Sequence, residues 1–268
     1  MHADFSVELG RDDAALELPW SSADPAVRYY DLKNHPELLQ QIPEAVACPE
    51  LGAFLSRINA AGFPLATAKC DAWSSREVAP EEEIFGDRKF VSYIDLVFED
   101  EAARCSFEKH EAFAKGLCRL LGQTSEIPAA VEVVIRRCYY HAEGALPEAA
   151  DQAGAEDVYG SETRREADTG DASEIGIGHG IEPEGHTDAG ERSEIDIEEG
   201  EAVGRLDEMA AEEREGLSGP SGTGGFCFTA YVTGFGDSEH EPRLRWQIAL
   251  ALLQNALVQL ARDQGAKQ

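Results

Sequence analysis

An alternating hydrophobic pattern and a helical one follow each other at the C-terminal end of the chain. Apolar and polar side chains alternate along Phe226–Thr233, which is the period of a strand with two different faces. After Gly-Phe-Gly at 234–236, apolar residues recur at helical spacing through Leu244–Ala261: Trp246, Ala249, Leu250, Leu253, Ala256, Leu257 and Leu260, with Ile248 and Leu252 widening the stripe. The pattern predicts a strand and then a long helix, which we expect to be the most buried helix of the fold.

The same two periodicities predict the other elements. Strands are expected at Phe5–Leu9, Leu16–Trp20, Leu65–Trp73, Phe90–Phe98 and Ala130–Tyr140, with a short one at Arg28–Leu32. Helices are expected at Pro36–Ala45, Pro49–Ala60 and Phe107–Leu121. The turn residues at 10–13 separate the first two strands, so these strands are expected to form a hairpin.

The order of the predicted elements indicates the fold class. Strand-strand-helix occurs at Leu65–Leu121, again at Ala130–Asp263, and in a looser form with two helices at the start. Hairpins separated by helices favour antiparallel pairing, with the helices stacked on one side. We therefore expect an α+β fold, a mostly antiparallel sheet built from repeated strand-strand-helix units with the helices on one face.

Alternation within the strands assigns side chains to the two faces of this sheet. The face under the helices is expected to hold Ala66, Ala68, Cys70 and Ala72; Phe90, Ile94, Leu96 and Phe98; Val131, Val133 and Ile135; and Phe226, Phe228, Ala230 and Val232. The opposite face then collects Lys69, Asp71, Trp73, Tyr93, Asp95, Thr229, Tyr231 and Thr233. The register of Ala130–Tyr140 is ambiguous, and Glu132 and Arg136 join this face if Val131, Val133 and Ile135 point inward. Any binding or chemistry is expected on this face, at Lys69, Asp71, Trp73, Tyr93, Asp95, Glu132, Arg136 and Tyr231.

Charge and glycine are concentrated in one part of the chain. Residues 141–224 hold 24 of the 52 acidic residues, 5 of the 23 basic ones and 15 of the 25 glycines. A segment of this composition buries too little apolar surface to offset the entropy of ordering it. We expect residues 141–224 to be a disordered acidic insertion in the last hairpin, and residues 1–140 and 225–268 to form a single α+β domain.

Composition narrows the compartment and the partners. The formal net charge of −29 predicts that nucleic-acid backbones and anionic membranes repel the protein. No secretory signal or membrane-spanning apolar run is recognised, and the six cysteines show no paired spacing. Reduced thiols in a cytoplasmic protein are the expectation. No glycine fingerprint, zinc spacing or nucleophile motif stands in a suitable context, so no cofactor is expected.

The plainest interpretation of the polar sheet face is a solvated surface, or one covered by the N-terminal segment, whose cross-strand ion pairs have no further role. Three functional hypotheses stand beside it. The first is a non-enzymatic module that binds a protein partner or a small ligand there, with Asp95 pairing with Lys69 or Arg136 across the strands. The alternative is a divalent-metal-dependent hydrolase in which Asp71, Asp95 and Glu132 hold Mg²⁺ or Mn²⁺. The third is a homodimer in which Trp73, Tyr93 and Tyr231 anchor the interface.

Overall fold

A six-stranded mixed sheet with helices forms an α+β fold in the computed structural model, which describes residues 1–20, 22, 28–77, 79, 82, 85–141 and 222–265. The strands are β1 (His2–Glu8), β2 (Leu16–Leu18), β3 (Leu65–Ser75), β4 (Arg88–Phe98), β5 (Ala129–His141) and β6 (Gly222–Gly236). A 3₁₀ helix covers Pro36–Gln41, and the α-helices are α1 (Pro43–Ala47), α2 (Pro49–Ile58), α3 (Glu101–Arg104), α4 (Phe107–Leu121) and α5 (Glu241–Gly265).

The strand order is β1-β5-β6-β4-β3, and β2 also pairs with β5. The pairs β3–β4, β4–β6 and β5–β6 are antiparallel, whereas β1 and β2 both run parallel to β5. The predicted N-terminal hairpin is therefore wrong, and the sheet is mixed. The long strand β5 offers one edge to both N-terminal strands, because β1 ends opposite Arg136 and β2 begins opposite Cys138. Residues 9–15 loop out between them.

Helices α2, α4 and α5 pack their apolar sides against the same face of the sheet, and this packing forms the main core. From α5 the core receives Trp246, Ala249, Leu250, Leu253, Ala256 and Leu257, as the helical spacing predicted. Ile248 is instead 42% exposed, so the apolar stripe is narrower than expected on that side. The Trp246 indole donates a hydrogen bond to Ser92 Oγ at 2.8 Å, which satisfies both buried polar groups.

Glycine at 234 allows β6 and α5 to approach each other closely. A Cβ at this position would overlap the backbone of Pro242 and of Trp246. Any larger residue would push the helix away from the sheet. Gly234, in the Gly-Phe-Gly segment at 234–236, thus lies at a close contact between the end of β6 and the first turns of α5.

A β-bulge in β3 changes which side chains face the helices. The register with β4 shifts between Thr67 and Cys70, so one extra residue is inserted. Cys70 and Ala72 pack against the main core as expected, but Ala66 and Ala68 lie on the opposite face. The expected grouping of these four residues on one face is therefore wrong, because a one-residue insertion inverts the alternation.

One end of the face opposite the helices is covered by the N-terminal segment. A second apolar cluster there contains Leu18, Ala66, Ala68, Val97, Cys138 and Cys227, with Leu16, Trp20, Tyr29 and Tyr140 packed against it. Trp20 is fixed by a hydrogen bond from its indole nitrogen to Ala68 O at 2.9 Å. We call the remainder of this side of the sheet the polar face.

Three further expectations concern segments outside these elements. The predicted acidic insertion lies outside the described residues, except that His141 and 222–224 belong to β5 and β6. Arg28 makes an isolated bridge, and 29–32 form no strand. Within the described part of the chain, no helix is long and apolar enough to cross a membrane.

Candidate functional site

A row of four side chains crosses the polar face along the strand register. Asp71 on β3 is paired with Tyr93 on β4, Tyr93 with Tyr231 on β6, and Tyr231 with Glu132 on β5. Paired residues on neighbouring strands project to the same side of a sheet. We call Asp71, Tyr93, Tyr231 and Glu132 the central row, in which two phenol rings lie between two carboxylates.

Aromatic contacts extend the central row into a continuous path across four strands. The ring centroids of Trp73 and Tyr93 are 6.3 Å apart, and those of Tyr93 and Tyr231 are also 6.3 Å apart. The guanidinium carbon of Arg136 lies 5.7 Å from the centroid of the Tyr231 ring. Trp73 is 39% exposed at the outer end of this path, and both tyrosines are half-buried. The rings hold one another in place and present a preformed aromatic surface.

Beside the central row lies a polar network that fixes Arg136. The Thr229 hydroxyl donates to Asp95 Oδ1 at 2.6 Å, and Arg136 Nη1 donates to Thr229 Oγ1 at 3.4 Å. Glu8 Oε2 accepts from Arg136 Nε at 2.9 Å and lies 2.8 Å from Nη2. The expected ion pair of Asp95 with Lys69 or Arg136 is not formed among the described residues. Asp95 is buried and takes a neutral donor instead, while Arg136 pairs with Glu8 of the edge strand.

Burial sets the protonation states of this network. Burial raises the pKa of Asp95 to about 6, against the lowering effects of the Thr229 hydrogen bond and of the charges on Arg136 and Lys69. Burial also raises the pKa of Tyr93, and the carboxylates of Asp95 and Asp71 add to the increase. The Tyr93 phenol therefore keeps its proton. Although burial lowers the pKa of Arg136, Tyr231 and Glu8 raise it overall, so the guanidinium stays charged.

The remaining predicted residues lie at the margins of this surface. Lys69 is exposed within the β3 bulge, and its ammonium lies 5.5 Å from the centroid of the Trp20 ring. Glu132 is exposed and accepts a hydrogen bond from Ser6 Oγ at 3.4 Å. All eight predicted residues thus lie on one side of the sheet, but only Trp73, Tyr93, Tyr231 and Arg136 form one chain of contacts.

The three predicted metal ligands do not meet. Asp71 and Glu132 stand at opposite ends of the central row, three strand spacings apart, which is about 14 Å. Asp95 is bound by Thr229 instead. Within the described residues, no group of three or more histidine, cysteine or acidic side chains could hold a metal ion. The three carboxylates are therefore spread over the face. Alternation shows which face a residue occupies but not how far along the sheet it lies.

A second candidate site was not predicted from the sequence. A cleft of about 330 Å³ lies where β3 ends, β4 begins and α5 starts, and its basic lining residues are Arg76, Arg88, Lys89 and Arg243. These residues come from the two sides of the β3–β4 hairpin and from α5. A signal was the adjacent Arg88-Lys89 pair in a strongly acidic sequence, with Arg76 across the predicted hairpin, but only the fold brings Arg243 beside them.

Comparisons of the chain with protein-family models, with curated proteins and with solved structures find no match.

Proposed function

We propose that the protein works by binding, and that its polar face receives a basic segment of a partner protein. The observation that carries this proposal is the central row, in which the Tyr93 and Tyr231 rings lie between the carboxylates of Asp71 and Glu132. Aromatic faces attract cations, and flanking carboxylates accept charge-assisted hydrogen bonds from the same cation. Arginine and lysine side chains of a partner combine both requirements.

Because its rings are already fixed, this surface binds a partner at a lower entropic cost than a flexible surface would. Trp73, Tyr93 and Tyr231 contact one another, so little side-chain freedom remains to be lost when a partner docks. Tyrosine, tryptophan and arginine are the residues that most often anchor protein interfaces. The net charge of −29 adds a long-range attraction for a basic partner.

The other hypotheses have less support on this face. Pairing of two copies through the polar face would bring Asp71 and Glu132 of each copy near those of the other, and like-charge contacts weaken an interface. A metal-dependent hydrolase requires carboxylates that converge on one ion, whereas these are spread along the row.

The compartment and the acidic segment fit the same proposal. All six cysteines are free thiols, which is typical of a cytoplasmic protein. We infer from composition alone that residues 142–221 serve as an acidic spacer or as a tether for a partner, since they hold 24 acidic residues and 5 basic ones.

A peptide pair tests the proposal. The full chain is titrated with a 12-residue Arg-rich peptide and with the same peptide carrying citrulline, its neutral isostere, at physiological salt by isothermal titration calorimetry. We expect binding of the arginine peptide only, weakened about tenfold by Trp73→Ala or Asp71→Asn, which removes one anchor or one charge.

Control variants distinguish binding at the polar face from a general attraction of the basic peptide to an acidic protein. Asp12→Asn removes the same charge in the N-terminal turn, and Leu244→Ala removes an exposed apolar side chain from α5. Neither variant should change the affinity. If Asp12→Asn weakens the peptide as much as Asp71→Asn, or if Trp73→Ala and Asp71→Asn both bind like the native chain, the polar face is not the site.

A further inference from the structure

The cleft between the ends of the central strands and the start of α5 has a charge opposite to that of the whole protein. Four basic side chains line it, and among the lining residues that the structure describes Glu239 is the one carboxylate. The chain as a whole has 52 acidic and 23 basic residues. Carboxylates near the cleft offset part of the repulsion among these cations, and a bound anion would offset more of it.

Arg88 carries the clearest sign of a missing partner. Its side chain is only 28% exposed, and its Nε is buried without a hydrogen-bond acceptor among the described residues. The two nearest carboxylates are too distant to accept a good hydrogen bond: Asp87 Oδ1 lies 3.7 Å from Nε, and Glu239 Oε1 lies 3.6 Å from Nη1. Both carboxylates are largely exposed to water, so a buried charged donor remains unsatisfied.

Lys89 and Arg243 differ in how far their charges are neutralised. Lys89 Nζ forms an ion pair with Glu82 Oε2 at 3.0 Å, which offsets its charge. Arg243 lies over the Phe90 ring at 5.6 Å and donates from Nη2 to Ala47 O at 3.3 Å, which leaves further guanidinium donors for a ligand. Neither contact of Arg243 involves an acidic group, so its charge is not neutralised there.

Ser238 is bound to the start of α5 and offers no free donor. Its Oγ accepts a hydrogen bond from the Glu241 amide at 3.3 Å, and its hydroxyl donates to the Glu241 carboxylate. The donors of the cleft are therefore its basic side chains. We propose that this cleft binds a small oxyanion ligand, one that carries phosphate or carboxylate groups, with Arg88 and Arg243 as its principal donors. Planar guanidinium groups bind both kinds of oxyanion in a bidentate manner. The site is separate from the polar face and does not depend on the function proposed there.

Thermal unfolding and calorimetry of the full chain test this site with defined probes. The melting temperature is measured in inorganic phosphate, in citrate and in sodium chloride of equal ionic strength, and the affinity is then measured for the anion that stabilises. We expect phosphate or citrate to raise the melting temperature more than chloride does. Phosphate and citrate distinguish the two ligand chemistries.

Matched variants locate the effect. Arg88→Gln and Arg243→Gln should each weaken the anion by about tenfold and reduce the shift in melting temperature, whereas Arg119→Gln, an exposed arginine on α4, should leave both unchanged. Arg243→Gln decides the question if Arg88→Gln does not fold. A shift no larger than that in chloride, or the same shift in the Arg243 variant as in the native chain, overturns the assignment.

Discussion

Asp95 and His110 are two buried titratable side chains with opposite effects on stability. Burial raises the pKa of Asp95 from 3.8 to about 6, so its stabilising contribution is complete below pH 4 and is lost as the pH rises through 6. His110 lies among Phe98, Phe226 and Phe228, and burial lowers its pKa from 6.5 to about 4. Its contribution is complete above pH 6.5 and is lost as the pH falls through 4. The two effects therefore oppose each other over the same pH range.

Asp95→Asn should expose the contribution of Asp95 alone. Because asparagine carries no charge, the unfolding free energy of the variant should rise relative to that of the native chain as the pH increases from 4 to 7. The shift to about 6 corresponds to a difference of roughly 3 kcal/mol. Urea unfolding at half-unit pH steps measures it.

Thr229→Val provides the matched comparison for Asp95. This variant removes the hydrogen bond that lowers the pKa of Asp95, so the loss of stability should begin at the same pH but extend to higher pH. A constant difference between the native chain and Asp95→Asn over the whole range would show that Asp95 titrates in the folded state as it does in the unfolded chain.

At this scale, the sequence predicted which face each polar residue occupies but not what it contacts. Alternation placed Asp95, Tyr93 and Tyr231 on one face correctly. The partners Glu8 and Thr229 come from segments that are 128 and 93 residues from Arg136, and no local pattern specifies such distances. The strand register determines them.

The C-terminal helix α5 was the most predictable element, since a periodic apolar stripe requires a buried surface. Its inner residues Trp246, Leu253 and Leu257 are fully buried, and the helix contacts β4, β5 and β6 as well as α2 and α4. Propensity and packing agree along its length, so the sequence pattern was sufficient. The β3 bulge was not predictable in the same way, because the extra residue at 67–70 leaves both halves of the strand with regular alternation.

Truncation to alanine of two aliphatic side chains on α5 should lower the unfolding free energy by very different amounts. Leu253 has no exposed surface, so Leu253→Ala should lower the unfolding free energy by about 2–5 kcal/mol through lost burial and an unfilled cavity. Ile248 is 42% exposed on the same helix, and Ile248→Ala should cost less than about 1 kcal/mol. Urea unfolding of both variants measures the contrast; a cost of Leu253→Ala below about 0.5 kcal/mol would place α5 outside the core.

At the scale of the molecule, the residues between β5 and β6 interrupt a hairpin that is otherwise regular. The pairing continues to the end of β5 and the beginning of β6, where His141 lies opposite Gly222. The mixed topology itself was not predictable, because the parallel pairing of β1 and β2 depends on the free edge of a strand more than 100 residues later. The antiparallel pairs β3–β4 and β5–β6 were predictable, since each joins strands that follow each other in the sequence.

Replacing residues 142–221 by Asn-Gly should preserve the fold. The directly opposed strand ends fit a two-residue hairpin turn. A loop about 40 times shorter costs less entropy to close, so the unfolding free energy should be unchanged or higher by up to about 3 kcal/mol. Chemical unfolding followed by circular dichroism measures it. A loss above about 2 kcal/mol would mean that the replaced residues contribute packed contacts to the domain.

The parallel pairing of both N-terminal strands with β5 also determines when the sheet can be completed during synthesis. The hydrogen bond between Glu8 and Arg136 joins residues 128 positions apart, so β1 leaves the ribosome well before β5 and has to wait for it. In a chain that is released before Ala129, β1 and β2 lack the strand with which they pair. Their backbone donors and acceptors are then open to pairing with other chains, so truncated products of this protein are expected to aggregate through their N-terminal strands.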